Sequence, residues 1–176
     1  MAYIPVVTDC LAPDHNHPTC TSDQEKAIGE SGVFDASVEA RVRDSIARQS
    51  MLTTLGIRAD VVRAGHVELS LKHREDLCQQ HGFLHAGAIT TIADSAAGYA
   101  ALTLAPPDRD VLTVSIATNL LAPAVQPRFV ATGTVVRAGR TLTVVTAQVR
   151  GIAADGSTTV VAIMQATIMA VTLMSQ

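Results

Sequence analysis

From Ser37 onward the apolar positions follow two rhythms. In ASVEARVRDSIARQSMLTTLG, Val38, Val42, Ile46, Met51, Leu52 and Leu55 recur at helical spacing. With Ser37 placed to cap and Gly56 to terminate, the spacing predicts an amphipathic helix packed by one face. The rhythm then shortens to two. In IRADVVRAGHVELSLKHRE, Val67, Leu69 and Leu71 alternate with His66, Glu68, Ser70 and Lys72 around an Ala64-Gly65 turn, which predicts a half-buried hairpin. From Ala88 the pattern is helical again, but Ile89, Ile92, Ala93, Ala96, Ala97 and Ala100 cover most of the circumference, the mark of a buried helix. Its small residues imply that a sheet or another helix approaches its backbone closely, and the two prolines of APPDRD are expected to stop it. Four strand-like runs follow: Val111 to Leu121, Phe129 to Arg137 and Thr141 to Arg150 around an Ala138-Gly139 turn, and Thr158 to Leu173 after an Asp155-Gly156 turn. Five or six strands with one buried helix inside their order predict an α+β fold, an antiparallel sheet wrapped around one long central helix.

Residues 1–35 lack any such rhythm and read as a loosely ordered extension, leaving 36–176 as a single domain without internal repeat or domain-sized linker. The 176 residues carry a formal charge of -3, no Trp and no basic run, which argues against nucleic acid as the partner. Hydrophobic residues make up 48% and charged residues 16%, yet no apolar run reaches the length of a membrane span. The excess is therefore expected to lie in an oligomer interface. The start, MAYIPVVTDCLAP, lacks the basic and apolar regions of a signal peptide, so the expected location is cytoplasmic. Cys10, Cys20 and Cys78 do not form a disulfide pattern. Cys10, His15, His17 and Cys20 are zinc-type ligands in one short stretch, but their spacing matches no common zinc pattern, and no metal site is expected.

The chemistry concentrates in QQHGFLHAGAITTIADSAAGYAALTL, Gln79 to Leu104, where a polar lead-in with His and Gly feeds the buried helix. Asp94 is the single acid in it. A carboxylate on an apolar helix is costly to desolvate, so it is either hydrogen-bonded by neighbours or kept for chemistry. His85 and Asp94 are nine positions apart, which on a helix places them about 13 Å apart on opposite faces. One copy cannot bring both to one small reacting group. Two copies can, if the start of one helix lies beside the acid of the other.

The order of helix, hairpin, a GxxHxG loop at Gly82, His85 and Gly87, a buried helix with IAD, then strands with NLLAPA and VVRAGRTL resembles the hotdog-fold acyl-CoA thioesterases of the phenylacetate-degradation (PaaI) type, over Val38 to Val171. The resemblance implies a homodimer or dimer of dimers that hydrolyses an acyl- or aryl-acyl-CoA, with coenzyme A as part of the substrate and no other cofactor. It also implies roles. Gln79, Gly82, His85, Ala86 and Gly87 match the family's amide, Gly and His-Gly-Gly run. The Ala86 N–H then binds the thioester carbonyl oxygen, suited to it by the helix N-terminus, and His85 positions that carbonyl. Asp94 acts from the partner subunit as nucleophile or general base, and Thr113 orients the acid or the attacking water. Arg137 and Arg140, flanking Gly139, are the expected cations for the coenzyme A phosphates, with Arg128 a weaker alternative. Gln79 in place of the familiar Asn lengthens the reach by a methylene, and Ala86 in place of the first Gly narrows the space beside the carbonyl. A non-catalytic acyl-CoA-binding or ligand-sensing module of the same fold is the alternative. A dehydratase of this fold would carry a different loop before the helix.

Overall fold

The computed structural model describes residues 35–172. The extension with its Cys10, His15, His17 and Cys20 group lies outside the described residues. In chain order the elements are helices α1 (Ala36–Arg48) and α2 (Ser50–Leu55), strands β1 (Arg58–Arg63) and β2 (His66–Lys72), a 3-10 turn (Glu75–Leu77), helix α3 (Ala86–Leu102), and strands β3 (Arg109–Leu120), β4 (Arg128–Ala138), β5 (Leu142–Ile152) and β6 (Thr158–Thr172).

The first helical stretch is two helices. Gln49, in extended conformation, interrupts it, and the N-terminal cap is Asp35 rather than Ser37: the Ser37 N–H donates to the Asp35 carboxylate at 2.8 Å. Gly56 closes α2 in the left-handed conformation at φ 72, where glycine meets no Cβ penalty. Val42, Ile46, Leu52 and Leu55 are buried, each contributing about 1.5–3 kcal/mol of apolar transfer, whereas Met51, expected on the same face, is exposed because the break re-aims α2.

The six strands form one antiparallel sheet in the order β1-β2-β4-β5-β6-β3. The inward positions Val67, Leu69 and Leu71 alternate as the sequence predicts and, with Phe129, Ala131, Val145, Val149 and Ile168, face α3 across the core. All six apolar positions expected to be buried on α3 are buried. Their small size has a cause on the sheet: a Cβ at Gly133 of β4 would overlap the Ala96 carbonyl, so helix and strand touch backbone to backbone.

Helix α3 ends at Leu102, before the prolines at 106 and 107. Its last carbonyls are taken by side chains and by tighter bonds. The Thr103 hydroxyl donates to Ala100 O at 2.6 Å and accepts from the Gly65 N–H. The Leu104 and Ala105 N–H groups donate to Ala101 O and Leu102 O, one residue short of the helical spacing. The Arg41 guanidinium, reaching from α1, donates to the carbonyls of Leu102 (2.7 Å), Ala105 (3.0 Å) and Pro106 (3.0 Å). Pro106 has no N–H to give the Leu102 carbonyl, the acceptor it would use in a continued helix, and the Arg41 guanidinium takes that place.

Strand β3 occupies one edge of the sheet. It is apolar yet uncovered: Leu112 is 57% exposed, Val114 51%, Ile116 43% and Leu120 54%. A long apolar edge of this kind is a template for pairing with another chain. No helix among the described residues is long and apolar enough to cross a membrane.

Candidate functional site

The lead-in to α3 is shaped by its own hydrogen bonds. Cys78 and Leu84 pair as an isolated bridge, and the turn between them is closed by the Gln79 N–H donating to Phe83 O (2.8 Å) and the Gly82 N–H donating to Gln79 O (2.9 Å). Gly82, at φ 79, supplies the left-handed residue this turn requires. The Gln79 side-chain oxygen accepts from the His81 N–H, and its amide NH₂ makes no hydrogen bond among the described residues. Cys78 is half-buried, its Sγ 3.4 Å from His73 Nε2 and 3.2 Å from Arg74 O. His81 is exposed.

At the helix start the backbone donors have distinct fates, beginning with the His85 N–H, which donates to Leu77 O at 2.9 Å. His85 is the N-cap, and its Nδ1 accepts from the Gly87 N–H at 2.9 Å. A Cβ on Gly87 would sit 3.0 Å from that nitrogen, so glycine is what lets the ring cap the helix. The Ala88 and Ile89 N–H groups both point to the His85 carbonyl, at 2.9 and 3.2 Å. The Ala86 N–H finds no acceptor among the described residues. It is thus an unused donor at the positive end of a 17-residue helix. Because Nδ1 accepts, the neutral His85 ring carries its proton on Nε2 and is itself a donor. Gln79 and Ala86 together line a cavity of about 190 Å³ whose other walls include Phe83, Ile89, Leu120 and Pro123.

The acid is elsewhere. Asp94, half-buried two turns into α3, accepts a hydrogen bond from the Thr113 hydroxyl of β3 at 2.8 Å. The pair opens onto a second cavity, of about 210 Å³, shared with Ser45, Gln49, Tyr99 and Asp110. Burial pushes the Tyr99 phenol above its ordinary range; the Ser45 hydrogen bond opposes that, Asp110 adds to it and Arg48 opposes it. Ser45, Gln49, Tyr99 and Asp110 have no signature in the sequence, because nothing in a one-dimensional pattern says where α1 and α2 lie along α3.

The structure therefore brings Asp94 to Thr113, and Gln79, His85 and Gly87 to Ala86, but it does not bring the two groups together in one chain. Arg137 and Arg140 are exposed, and Arg140 lines a small cavity with Ala101, Leu104 and Ala105 at the far end of α3 from Ala86. Arg128 is paired with Asp60 at 2.5 Å. No cluster of three or more metal-ligating side chains occurs among the described residues.

A six-stranded antiparallel sheet wrapped on one long helix is the hotdog architecture. Comparison with known proteins makes the assignment specific. The thioesterase superfamily model matches residues 81–152. A thioesterase family protein from Silicibacter pomeroyi is 46% identical, with a TM-score of 0.75 over 77% of this chain and 99% of that one. The chain belongs to the thioesterase superfamily and is a thioester hydrolase. The PaaI protein of the Escherichia coli phenylacetic acid degradation operon is 15% identical, with a TM-score of 0.69 over 79% of this chain and 96% of that one. A thioesterase of Haemophilus influenzae is 18% identical, with a TM-score of 0.67 over 78% and 92%. At these identities the likeness is one of fold. No curated protein matches the sequence.

Proposed function

We propose that the protein hydrolyses an acyl- or aryl-acyl-CoA to the free acid and coenzyme A, in the cytoplasm and with no other cofactor, at sites shared between two copies. The observation that carries this reading is the placement of the two half-sites along β3. Thr113, with Asp94, stands near the start of the strand, and Leu120, in the wall of the Ala86 cavity, stands at its end. If two copies join antiparallel through their exposed β3 edges, the start of one strand lies beside the end of the other. The acid of each copy then faces the helix head of its partner.

In such a site the Ala86 N–H and the His85 Nε2–H hold the thioester carbonyl oxygen, and the helix dipole favours the negative charge that develops there. Asp94, held by Thr113, either attacks the carbonyl carbon itself or takes the proton of the water that does. The C–S bond breaks and coenzyme A leaves as the thiolate and takes up a proton; where water attacks, the acyl group leaves at once as the acid, and where Asp94 attacks, the mixed anhydride it forms is then cleaved by a water molecule, which releases the acid and restores the carboxylate.

Two variants test both the chemistry and the sharing. Asp94→Asn should lower kcat by about 10²- to 10⁴-fold in a thiol-release assay over a panel of acyl-CoAs. Ala86→Pro deletes the free donor alone, since proline suits the first helical position and His85, at φ -61 and ψ 141, already has the backbone a following proline requires. Mixing the two inactive variants should restore roughly a quarter of wild-type turnover, from hybrid dimers with one intact site. No restoration would assign each chain its own complete site. Tight acyl-CoA binding without any hydrolysis by the wild type would replace this reading with a binding module.

A further inference from the structure

Helix α3 is covered by its own domain everywhere except along one stripe. Past Gly87, Thr90, Thr91, Asp94, Ser95 and Gly98 are partly exposed, and every other residue to Leu102 is buried. Their spacing of three and four puts them on one face. Gly98 is the last of them, so the stripe that starts at the helix head and passes Asp94 ends there.

The reasons that call for glycine elsewhere in the chain do not hold at this position. Gly98 is not left-handed, unlike Gly56 and Gly82. Nor does a neighbour crowd it. A Cβ on Gly133 would overlap the Ala96 carbonyl and one on Gly87 would press on His85 Nδ1, but among the described residues a Cβ on Gly98 would meet nothing within 4 Å beyond the backbone of its own helix. Glycine inside a helix lowers stability relative to alanine, so its presence here works against the fold.

What the missing side chain leaves is open space over the acid. Gly98 lines the cavity of about 210 Å³ onto which Asp94 and Thr113 open. It stands four residues, about 6 Å, along the helix from Asp94. Because Cα–Cβ bonds on a helix tilt toward its N-terminus, a side chain at this position would lean back over Asp94. It would then occupy the volume that a group joined to the reacting carbonyl has to enter, since the carbonyl carbon must come to about 3–3.5 Å from whichever oxygen attacks it. The cavity is larger than a water needs, about 30 Å³, and larger than the roughly 150 Å³ that holds a benzene ring in an apolar protein cavity. With Ser45 of α1 and Gln49 beyond it among the walls, it has room for an acyl group but not for the nucleotide of coenzyme A.

We infer that Gly98 fixes the size of the acyl group that the enzyme cleaves, the missing side chain opening the Asp94 cavity to groups as large as one aromatic ring. The inference rests on the acyl-CoA reading above and adds a specificity-determining residue to it.

Binding is read by titration calorimetry on the full chain carrying Asp94→Asn, which keeps the thioester uncleaved, with acetyl-, hexanoyl- and phenylacetyl-CoA as probes. Adding Gly98→Leu should raise the Kd for phenylacetyl-CoA about tenfold more than that for acetyl-CoA, with hexanoyl-CoA between. Gly98→Ala should shift the same ratio about two- to threefold. Having no neighbour to strike, it should also raise Tm by about 1–4 °C through the better helix propensity of alanine. Equal weakening of all three probes, or of none, overturns the inference. So does a lower Tm for Gly98→Ala, or its dissociation into monomers on sedimentation, either of which makes the glycine a contact between copies. Thiol release is scored separately, on chains that keep Asp94. A wild type that cleaves no acyl-CoA, while binding depends on position 98 as stated, overturns the catalytic reading alone. One that cleaves acetyl- and phenylacetyl-CoA in a ratio that Gly98→Leu leaves unchanged overturns the size filter alone. Absence of both binding and cleavage with every probe overturns both.

Discussion

The head and the middle of α3 are built on opposite principles. At the head, the Ala86 N–H is left unsatisfied while its neighbours are capped, and the surrounding turn is fixed by backbone bonds and by Gly82 and Gly87. In the middle, the acid is satisfied: Asp94 is held by the Thr113 hydroxyl and stands beside other polar side chains. A donor at a helix terminus can stay free because the dipole and the geometry of the first turn already aim it. A carboxylate on an apolar helix needs a partner to be held in one orientation. One half-site is thus made mainly by backbone and the other by side chains, and they tolerate change differently.

The largest effect is expected from a change that touches neither. Ile116→Asp puts a charge at the centre of the exposed β3 edge, and in the shared-site reading it disables both halves at once by separating the copies. Sedimentation should show monomer and thiol release should fall to background; full activity in a monomer would end the distinction between the halves. Next in size is the loss of the backbone donor: Ala86→Pro should lower kcat by about 10²- to 10³-fold with the fold and oligomer intact by circular dichroism and sedimentation. The smallest effect is expected at the side-chain half. Thr113→Val removes the hydroxyl but keeps the shape, so Asp94 retains its chemistry with a looser orientation, and kcat should drop about tenfold; a loss as deep as that of Asp94→Asn would make the hydroxyl a reacting group rather than a positioning one.

Much of this was legible from residue patterns, for reasons that differ from element to element. The β1-β2 hairpin and α3 read well because their inward positions are strictly spaced. The alanines of α3 even signalled the close approach that Gly133 makes. The separation of His85 from Asp94 pointed to a site shared by two chains, the reading that the mixing of Asp94→Asn with Ala86→Pro tests. Roles for Ala86 and Thr113 came only with the family resemblance, since a free N–H and a hydroxyl across a sheet leave no periodic trace. The helix ends were less legible. Asp35 took the cap from Ser37, Gln49 divided the first helix by its extended backbone, and Arg41, distant in sequence, took the Leu102 carbonyl that Pro106 cannot serve.

The Arg41 contact has a consequence for the order of assembly. Its acceptors lie 61 to 65 residues along the chain, so α1 can make these bonds only after the last turn of α3 exists. Among the residues of α1 only Val42 and Ile46 are buried, and elements with few buried apolar contacts open before the core does. Helix α1 is then the last piece to dock on the domain and the first to detach, and limited proteolysis under mild denaturant should cut at the Gln49 break before it opens the sheet.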